Sequence, residues 1–193
     1  MEATLAECLN RHGSDKAWRH HYHRIYEPAF AAMRDDAFTL LEVGVWKGGS
    51  CRAWREWFPH ATITGLDIFE RKPMVPIDGV TLIEGDSTKP PAMGTFDVII
   101  DDGCHFPLTQ AKTLRALWPL LNPGGIYFLE DVWRPDPEHP WTRKHSDEYK
   151  PHNFERLSDM IVATGADCTV HDQRELSGEL DSCIYVMRKP CEL

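Results

Sequence analysis

The stretch from Thr39 to Ser50, TLLEVGVWKGGS, constrains the fold more than any other part of the chain. Leu40, Leu41, Val43 and Val45 are apolar and Glu42 is the only charge among them, a pattern that predicts a buried strand. Three glycines and a serine placed to cap the next helix then follow: Gly44, Gly48, Gly49 and Ser50. A strand that passes through a glycine turn into a helix offers backbone N–H groups to a ligand that can approach closely. The stretch therefore predicts a nucleotide-like ligand at this turn.

Further strand-like and helix-like segments alternate along the chain. The predicted strands are ATITGLDI, GVTLIEGD, GTFDVIIDDG, GIYFLED, DCTVHD and SCIYVMRK, and the clearest helices are SCRAWREWF, FPLTQAKTLRALWPLLN and HNFERLSDMIVATG. Only RELSGELD joins the last two strands, which is too short for a helical crossover and predicts an antiparallel final strand. The sequence therefore predicts an α/β fold with a doubly wound, Rossmann-like, seven-stranded sheet that is mostly parallel and has an antiparallel last strand.

The residues before the sheet predict a helical cap. Residues 1–13 read as a short helix, and Ser14 in GSDK is placed to start another through AWRHHYHRIYE, which Pro28 bends or restarts. At 193 residues and 42% hydrophobic, the chain has room for one full core. We expect a single domain over 1–193, with a cap at 1–38 and a Rossmann-like core at 39–193.

Composition restricts the partners. A net charge of −9 argues against a nucleic-acid partner, because phosphate backbones require a basic face. No apolar run approaches the roughly 20 residues needed to span a bilayer, and the first residues have no signal-peptide pattern. The six cysteines form no CxxC pair and read as reduced thiols. We expect a cytoplasmic protein that binds neither membrane nor nucleic acid.

Acidic residues end four of the five parallel strands, where ligands of such sheets bind: Asp67, Asp86, the Asp101–Asp102 pair and the Glu130–Asp131 pair. Asp67 follows Gly44 by 23 residues, the position of a carboxylate that binds ribose hydroxyls. Asp86 is placed to accept a hydrogen bond from an adenine amino group. Neither residue distinguishes NAD from S-adenosylmethionine.

Two features favour S-adenosylmethionine. The turn reads G-x-x-x-G-G rather than the G-x-G-x-x-G of a pyrophosphate cradle. The chain also ends in a helix, a strand, a short connection and an antiparallel strand, and in this it resembles the class I S-adenosylmethionine methyltransferases over nearly its whole length. The resemblance implies that Glu42 begins the first cofactor motif and that Asp67 holds the ribose. The predicted cofactor contacts are Glu42, Gly44, Gly48, Ser50, Asp67, Asp86 and Asp101.

A second group of residues indicates a metal. Asp102, Glu130 and Asp131 follow two neighbouring strands, and three carboxylates without thiolates suit a hard octahedral cation, Mg²⁺ first. His105 is expected to begin the next helix beside them, where a neutral imidazole near pH 7 can take a proton from a substrate hydroxyl.

The motifs GSDK, LLEVGVWKGGS, IIDDGCH and LEDVW together resemble the metal-dependent sugar O-methyltransferases of antibiotic biosynthesis, of the macrocin and mycinamicin type. The resemblance implies that Asp102, Glu130 and Asp131 bind Mg²⁺ and that His105 is the general base. It also implies that the GSDK helix closes over the cofactor, with Lys16 and Tyr22 as contacts.

The acceptor expected from this resemblance is a hydroxyl of a small, glycosylated natural product. The polar, proline-rich segment VWRPDPEHPWTRKHSDEYKP is a candidate lid, in which Trp133, Trp141 and Tyr149 are placed to stack on sugar or ring faces.

Other functions stay open on the sequence alone. A catechol-type acceptor would chelate the same metal, and a protein that binds S-adenosylmethionine without catalysis would retain the same motifs. An NAD-dependent oxidoreductase is disfavoured by the missing phosphate fingerprint and by the lack of a Tyr-x-x-x-Lys pair near the site. The identity of the acceptor and the formation of a homo-oligomer are both left open.

Overall fold

The computed structural model describes residues 3–69, 75–133 and 136–191. Seven strands form one sheet: β1 (Thr39–Val43), β2 (Thr62–Asp67), β3 (Val80–Glu84), β4 (Phe96–Asp101), β5 (Leu121–Leu129), β6 (Asp167–Asp172) and β7 (Cys183–Arg188). The α-helices of the described ranges are α1 (Leu5–Arg11), α2 (Asp15–Trp18), α3 (His23–Phe30), α4 (Gly49–Trp57), α5 (Pro107–Leu117), α6 (Pro140–Lys144), α7 (Pro151–Ala163) and α8 (Arg174–Ser177).

The strands lie in the order β3-β2-β1-β4-β5-β7-β6. Strands β1 to β5 pair in parallel, whereas β7 runs antiparallel to both of its neighbours, β5 and β6. The predicted Rossmann-like sheet with an antiparallel last strand is therefore confirmed. Because the strand order reverses between β1 and β4, their carboxyl ends flank the crevice in which such sheets bind ligands.

Apolar layers cover both faces of the sheet, because successive strand residues point to opposite sides. On one face Leu40 packs in a cluster with large aromatic side chains of α3, α4 and the residue after α4: Tyr26, Phe30, Trp54, Trp57 and Phe58. On the other face Leu41 packs with Leu114 of α5 and Leu157 of α7. Because helices cover both faces of the sheet, ligands can reach it at the carboxyl ends of the strands.

The cap differs from the prediction at one point. The single helix expected through AWRHHYHRIYE is wrong, because α2 and α3 are separated by His21, whose φ is +57°. The break allows side chains on either side of it to reach the sheet. His20 Nδ1 shares a hydrogen bond of 2.7 Å with Ser182 Oγ, and Tyr22 Oη donates one of 2.6 Å to Asp131 Oδ1. These tertiary contacts override the helical pattern.

Two helical segments contain prolines. Helix α3 continues through Pro28, so the helix does not restart there. After α5 a short 3-10 turn contains Pro119. The helix predicted over FPLTQAKTLRALWPLLN ends earlier than expected, because β5 already begins at Leu121. None of the helices in the described ranges has the length and apolarity needed to cross a membrane.

Candidate active site

The carboxyl ends of β1, β4 and β5 bring the predicted acids together. Val43 at the end of β1 pairs with Asp101 at the end of β4, and Asp101 pairs with Leu129 at the end of β5. The next residues are held at the same level, because Asp102 N–H donates to Val43 O and Glu130 N–H donates to Asp101 O, both at 3.0 Å. Strand pairing therefore places the acids of β4 and β5 on one rim.

Asp101 and Asp102 point in opposite directions from this rim. Asp101 is buried and accepts a hydrogen bond of 2.8 Å from Tyr127 Oη, and burial raises the pKa of Asp101 to about 6. Asp102 instead faces the cap, where Lys16 donates to its Oδ2. The acid predicted as a cofactor contact, Asp101, is thus bonded inside the fold, and Asp102 belongs to the charged cluster.

Five buried or half-buried side chains form what we call the inner cluster: Lys16, Tyr26, Glu42, Asp102 and Glu130. Lys16 Nζ lies at its centre, 2.8 Å from Glu130 Oε2, 3.7 Å from Glu42 Oε1 and hydrogen-bonded to Asp102 Oδ2. Tyr26 Oη donates to the other oxygen of Glu130. Lys16, predicted to touch the cofactor, is therefore the counter-ion of three carboxylates.

Asp102, His105 and Asp131 form a second set, the outer group. His105 Nε2 lies 3.4 Å from Asp102 Oδ1, and His105 Nδ1 lies 3.5 Å from Asp131 Oδ2. One potential ligand atom from each residue lies within 4.8 Å of the other two. The prediction that His105 begins the next helix is wrong, because α5 starts at Pro107. Asp102 belongs to both sets, one oxygen facing Lys16 and the other His105.

The charges of these sets shift each other's pKa values. Burial raises the pKa of Asp102, but the charges of Lys16 and His105 outweigh it and lower that pKa to about 2. Burial likewise lowers the pKa of His105, but the charge of Asp131 and the hydrogen bond to Asp102 raise it to about 10. With these neighbours alone, His105 is protonated near neutral pH rather than neutral as the sequence led us to expect.

The pKa values of the other buried acids are raised, whereas that of Asp102 is lowered. Burial raises the pKa of Glu130 well above its usual value, and it also raises the pKa values of Glu42 and Asp131. Lys16 is the exception among the buried groups. Burial lowers its pKa, but the charges of Asp102, Glu130 and Glu42 raise it well above its usual value, so Lys16 stays an ammonium.

The glycine turn is shaped by the fold around it. Gly44 has φ +86°, and a Cβ there would lie 2.0 Å from the carbonyl oxygen of Asp102. Gly48 has φ +74° and is itself the N-cap of α4. The prediction that Ser50 caps this helix is wrong, because α4 begins at Gly49 and has no side-chain cap. The close approach at Gly44 is thus made by the end of β4.

The two acids predicted to bind the nucleoside lie beside this turn and beyond β3. Asp67 accepts hydrogen bonds from Trp46 N–H at 2.9 Å and from Phe69 N–H at 2.8 Å, which ties the glycine turn to the end of β2. Asp86 accepts one of 2.8 Å from Thr88 N–H. A cavity of about 260 Å³ opens against the turn, with Trp46 and Phe69 in its wall.

An aromatic cluster lies next to His105: Phe106, Trp133, Trp141, His145 and Tyr149. The Phe106 ring stacks on Trp141 with centroids 6.5 Å apart, and Trp141 Nε1 donates a hydrogen bond of 3.0 Å to Tyr149 Oη. The predicted lid segment contains α6 and supplies all of these residues except Phe106. Residues 134–135 of that segment lie outside the described residues.

Two residues of the site were missed in the sequence. Tyr26 binds Glu130, and His20 lies 3.7 Å from Asp131 Oδ1. One signal was available for Tyr26, because it follows Tyr22 by four residues and so shares a face of a helix. His20 is buried beside the break at His21, which no local sequence pattern indicates.

The fold defines a class of protein. The chain has the fold of the class I S-adenosylmethionine-dependent methyltransferases. It is similar to the mycinamycin-pathway methyltransferase MycE, solved with Mg and SAH, at a TM-score of 0.74 and 22% identity, over 99% of this chain and 54% of that one. It is also similar to CalS10, a SAM-bound amino pentose methyltransferase from Micromonospora echinaspora, at a TM-score of 0.61 and 16% identity over 98% of both chains.

Sequence comparison gives the particular relatives. The chain is 36% identical over 146 residues to the 8-demethyl-8-alpha-L-rhamnosyl tetracenomycin-C 2'-O-methyltransferase of Streptomyces olivaceus, which is 66% of this chain and 37% of that protein. It is 32% identical over 144 residues to the mycinamicin VI 2''-O-methyltransferase of Micromonospora griseorubida, which is 67% of this chain and 36% of that protein. The predicted resemblance is confirmed, since these homologues are sugar O-methyltransferases of antibiotic biosynthesis.

Two facts bound this relationship. The chain spans little more than a third of the length of these two relatives. No protein-family model matches it.

Proposed function

We propose that this chain transfers a methyl group from S-adenosylmethionine to a sugar hydroxyl of a glycosylated natural product, with a divalent cation bound at the rim. The observation that supports it most is the outer group, in which two carboxylates and an imidazole converge beyond β4 and β5, next to the glycine turn of β1. The names of the two relatives supply the acceptor class, since one acts on a rhamnosyl tetracenomycin and the other on mycinamicin VI.

The donor set of the rim fits a hard cation. Carboxylate oxygens of Asp102 and Asp131 lie within 4.8 Å of each other, and Glu130 follows the same strand end as Asp131. Mg²⁺ prefers such oxygens and completes an octahedral shell with water or substrate oxygens. The proposed ligands are Asp102, Glu130 and Asp131. When bound, the cation supplies the positive charge that lowers the pKa of an acceptor hydroxyl.

His105 is the proposed general base. Its ring stands between Asp102 and Asp131, where those carboxylates raise its pKa to about 10. Accepting a proton requires the neutral imidazole, so the charges of these two residues must be engaged elsewhere, as they are when they bind a cation. A neutral ring has one N–H, which can donate to one of these carboxylates, and its other nitrogen would then accept the hydroxyl proton.

The glycine turn and the acids of β1 to β3 are the proposed site of the methyl donor. Asp67 lies against the turn and is proposed to bind the ribose, and Asp86 the adenine. Glu42 belongs to this proposed site because it lies on β1, the strand that leads into the glycine turn; its buried Oε1 makes no hydrogen bond among the described residues and lies 3.7 Å from Lys16 Nζ. Gly44, Gly48 and Ser50, at the turn itself, complete this proposed donor site.

The aromatic cluster is the proposed wall of the acceptor site. It begins at Phe106, directly after His105, and its Trp141 side chain is 42% exposed. Aromatic faces bind the apolar faces of sugars and ring systems. Methyl transfer requires oxygen, methyl carbon and sulfur to lie in line, so positioning of the acceptor contributes most of the catalysis.

The test is a methyl-transfer assay with radiolabelled S-adenosylmethionine. We expect methylation of a deoxysugar glycoside, none of catechol, loss of turnover in EDTA and recovery with Mg²⁺. Asp131→Asn should abolish turnover. Asp159→Asn, the same change at an exposed position of α7, should not. Full activity in EDTA would remove the cation from the proposal. Binding of NAD in place of S-adenosylmethionine would end the methyltransferase assignment.

A further inference from the structure

Lys16 stands in the space where a cation would bind. Its Nζ bonds to Asp102 and lies 2.8 Å from Glu130, and these are two of the three proposed cation ligands. The Lys16 side chain is only 2% exposed. The ammonium therefore occupies the space between Asp102 Oδ2 and Glu130 Oε2, the two oxygens that a cation bound there would need.

The outer group shows what remains for a cation while Lys16 stays in place. Asp102 offers only Oδ1, and Asp131 offers Oδ2, because its Oδ1 accepts from Tyr22 Oη. Glu130 has both oxygens occupied, one by Lys16 and the other by Tyr26. If Lys16 withdraws, the set of cation ligands gains a second oxygen of Asp102 and one of Glu130.

Lys16 is supplied by a different element from the carboxylates of the rim. The carboxylates are fixed by strand pairing, whereas Lys16 belongs to α2, a four-residue helix outside the sheet. An ammonium and a divalent cation on the same oxygens repel each other strongly at such short range. Only one of them can occupy the site.

On the basis of the proposed function, we propose that Lys16 is a built-in competitor of the divalent cation. Its ammonium holds Asp102 and Glu130 together while the cation is absent and leaves them when the cation binds. Lys16 is thus a positioning residue that keeps the buried acids compensated and sets the affinity for the cation.

The first test is calorimetric titration with Mn²⁺ of the full chain. Lys16→Met should bind Mn²⁺ at least tenfold more tightly than wild type, because the competing charge is gone. Lys112→Met removes an exposed lysine of α5 and should stay within threefold of wild type. Far-UV circular dichroism checks that each variant is folded. An affinity of Lys16→Met equal to or below that of wild type overturns the competition.

The second test uses wild type, in case Lys16→Met does not fold. Lysine acetylation by acetic anhydride is followed by mass spectrometry with and without saturating Mg²⁺. Lys16 labelling should rise at least fivefold with Mg²⁺, while Lys112 is unchanged. Unchanged labelling of Lys16 overturns the displacement. If neither wild type nor Lys16→Met binds Mn²⁺, the competition and the proposed cation both fail, whereas binding with equal affinity removes the competition alone.

Discussion

His105 is the residue whose charge depends most directly on its neighbours in the outer group. Its ring nitrogens lie 3.4 Å from Asp102 Oδ1 and 3.5 Å from Asp131 Oδ2, and the two carboxylates raise its pKa to about 10. A histidine in the unfolded chain titrates near 6.5. The folded chain therefore binds this proton more tightly than the unfolded chain, and stability is linked to pH.

The sign of this linkage gives a prediction for His105→Gln in the presence of EDTA. The contribution of His105 is complete below pH 6.5 and is lost as the pH rises through about 10. The difference in unfolding free energy between wild type and His105→Gln should therefore shrink between pH 6 and pH 10. Urea denaturation at several pH values measures it. His152→Gln, at an exposed position of α7, is the matched control, and a constant difference for His105→Gln would contradict the raised pKa.

At this scale the sequence indicated where the acids lie but not how their charges are compensated. The positions of Asp102, Glu130 and Asp131 could be predicted, because a strand end has a defined place in a doubly wound sheet. The place of Lys16 could not, because it depends on how α2 lies across the sheet and on the break at His21. A buried cluster of carboxylates requires a positive partner, and this requirement is the signal by which Lys16 could have been identified as that partner.

Among the elements, the turn after β1 is tied most closely to the site. A Cβ on Gly44 would overlap the carbonyl oxygen of Asp102 at 2.0 Å, so any larger residue displaces the end of β4. Gly165, after α7, has a similar φ of +66° but nothing within 4 Å of its Cβ position. A comparison of Gly44 with Gly165 therefore separates the free-energy cost of a positive φ from that of the steric overlap.

We expect Gly165→Ala to lower the unfolding free energy by about 1–2 kcal/mol, the usual cost of a left-handed conformation with a Cβ. Gly44→Ala should cost about 2–4 kcal/mol more, because the backbone of Asp102 must shift as well. Urea denaturation of both variants measures the difference. Equal losses would show that the turn relaxes without moving the rim.

The elements also show where sequence patterns were sufficient. Strands β1, β2, β4 and β5 could be predicted because apolar runs separated by turn residues and acids specify them locally. The helix over the cap was predicted as continuous, and it breaks because Tyr22 binds Asp131 and His20 binds Ser182. Those partners are 109 and 162 residues away in the chain, so no local pattern contains them.

At the scale of the whole molecule, the rim exists only when the chain is folded. Asp102 follows β4 and Asp131 follows β5, and the α5 helix separates these strands in sequence. The unfolded chain does not hold these residues together. A cation that requires both therefore binds the folded chain alone and stabilises it by mass action.

This coupling predicts a rise in melting temperature. At a cation concentration 100 times its Kd, folded-state binding adds about 2.7 kcal/mol, which for a chain of this size corresponds to about 5–10 °C. Differential scanning fluorimetry with Mg²⁺ and then EDTA should show the rise and its reversal. Asp131→Asn should lose the response, and Asp159→Asn should keep it, because only the first removes a ligand of the outer group. Since the ligands come from different strand ends, an undiminished response in Asp131→Asn would place the stabilising cation away from the rim.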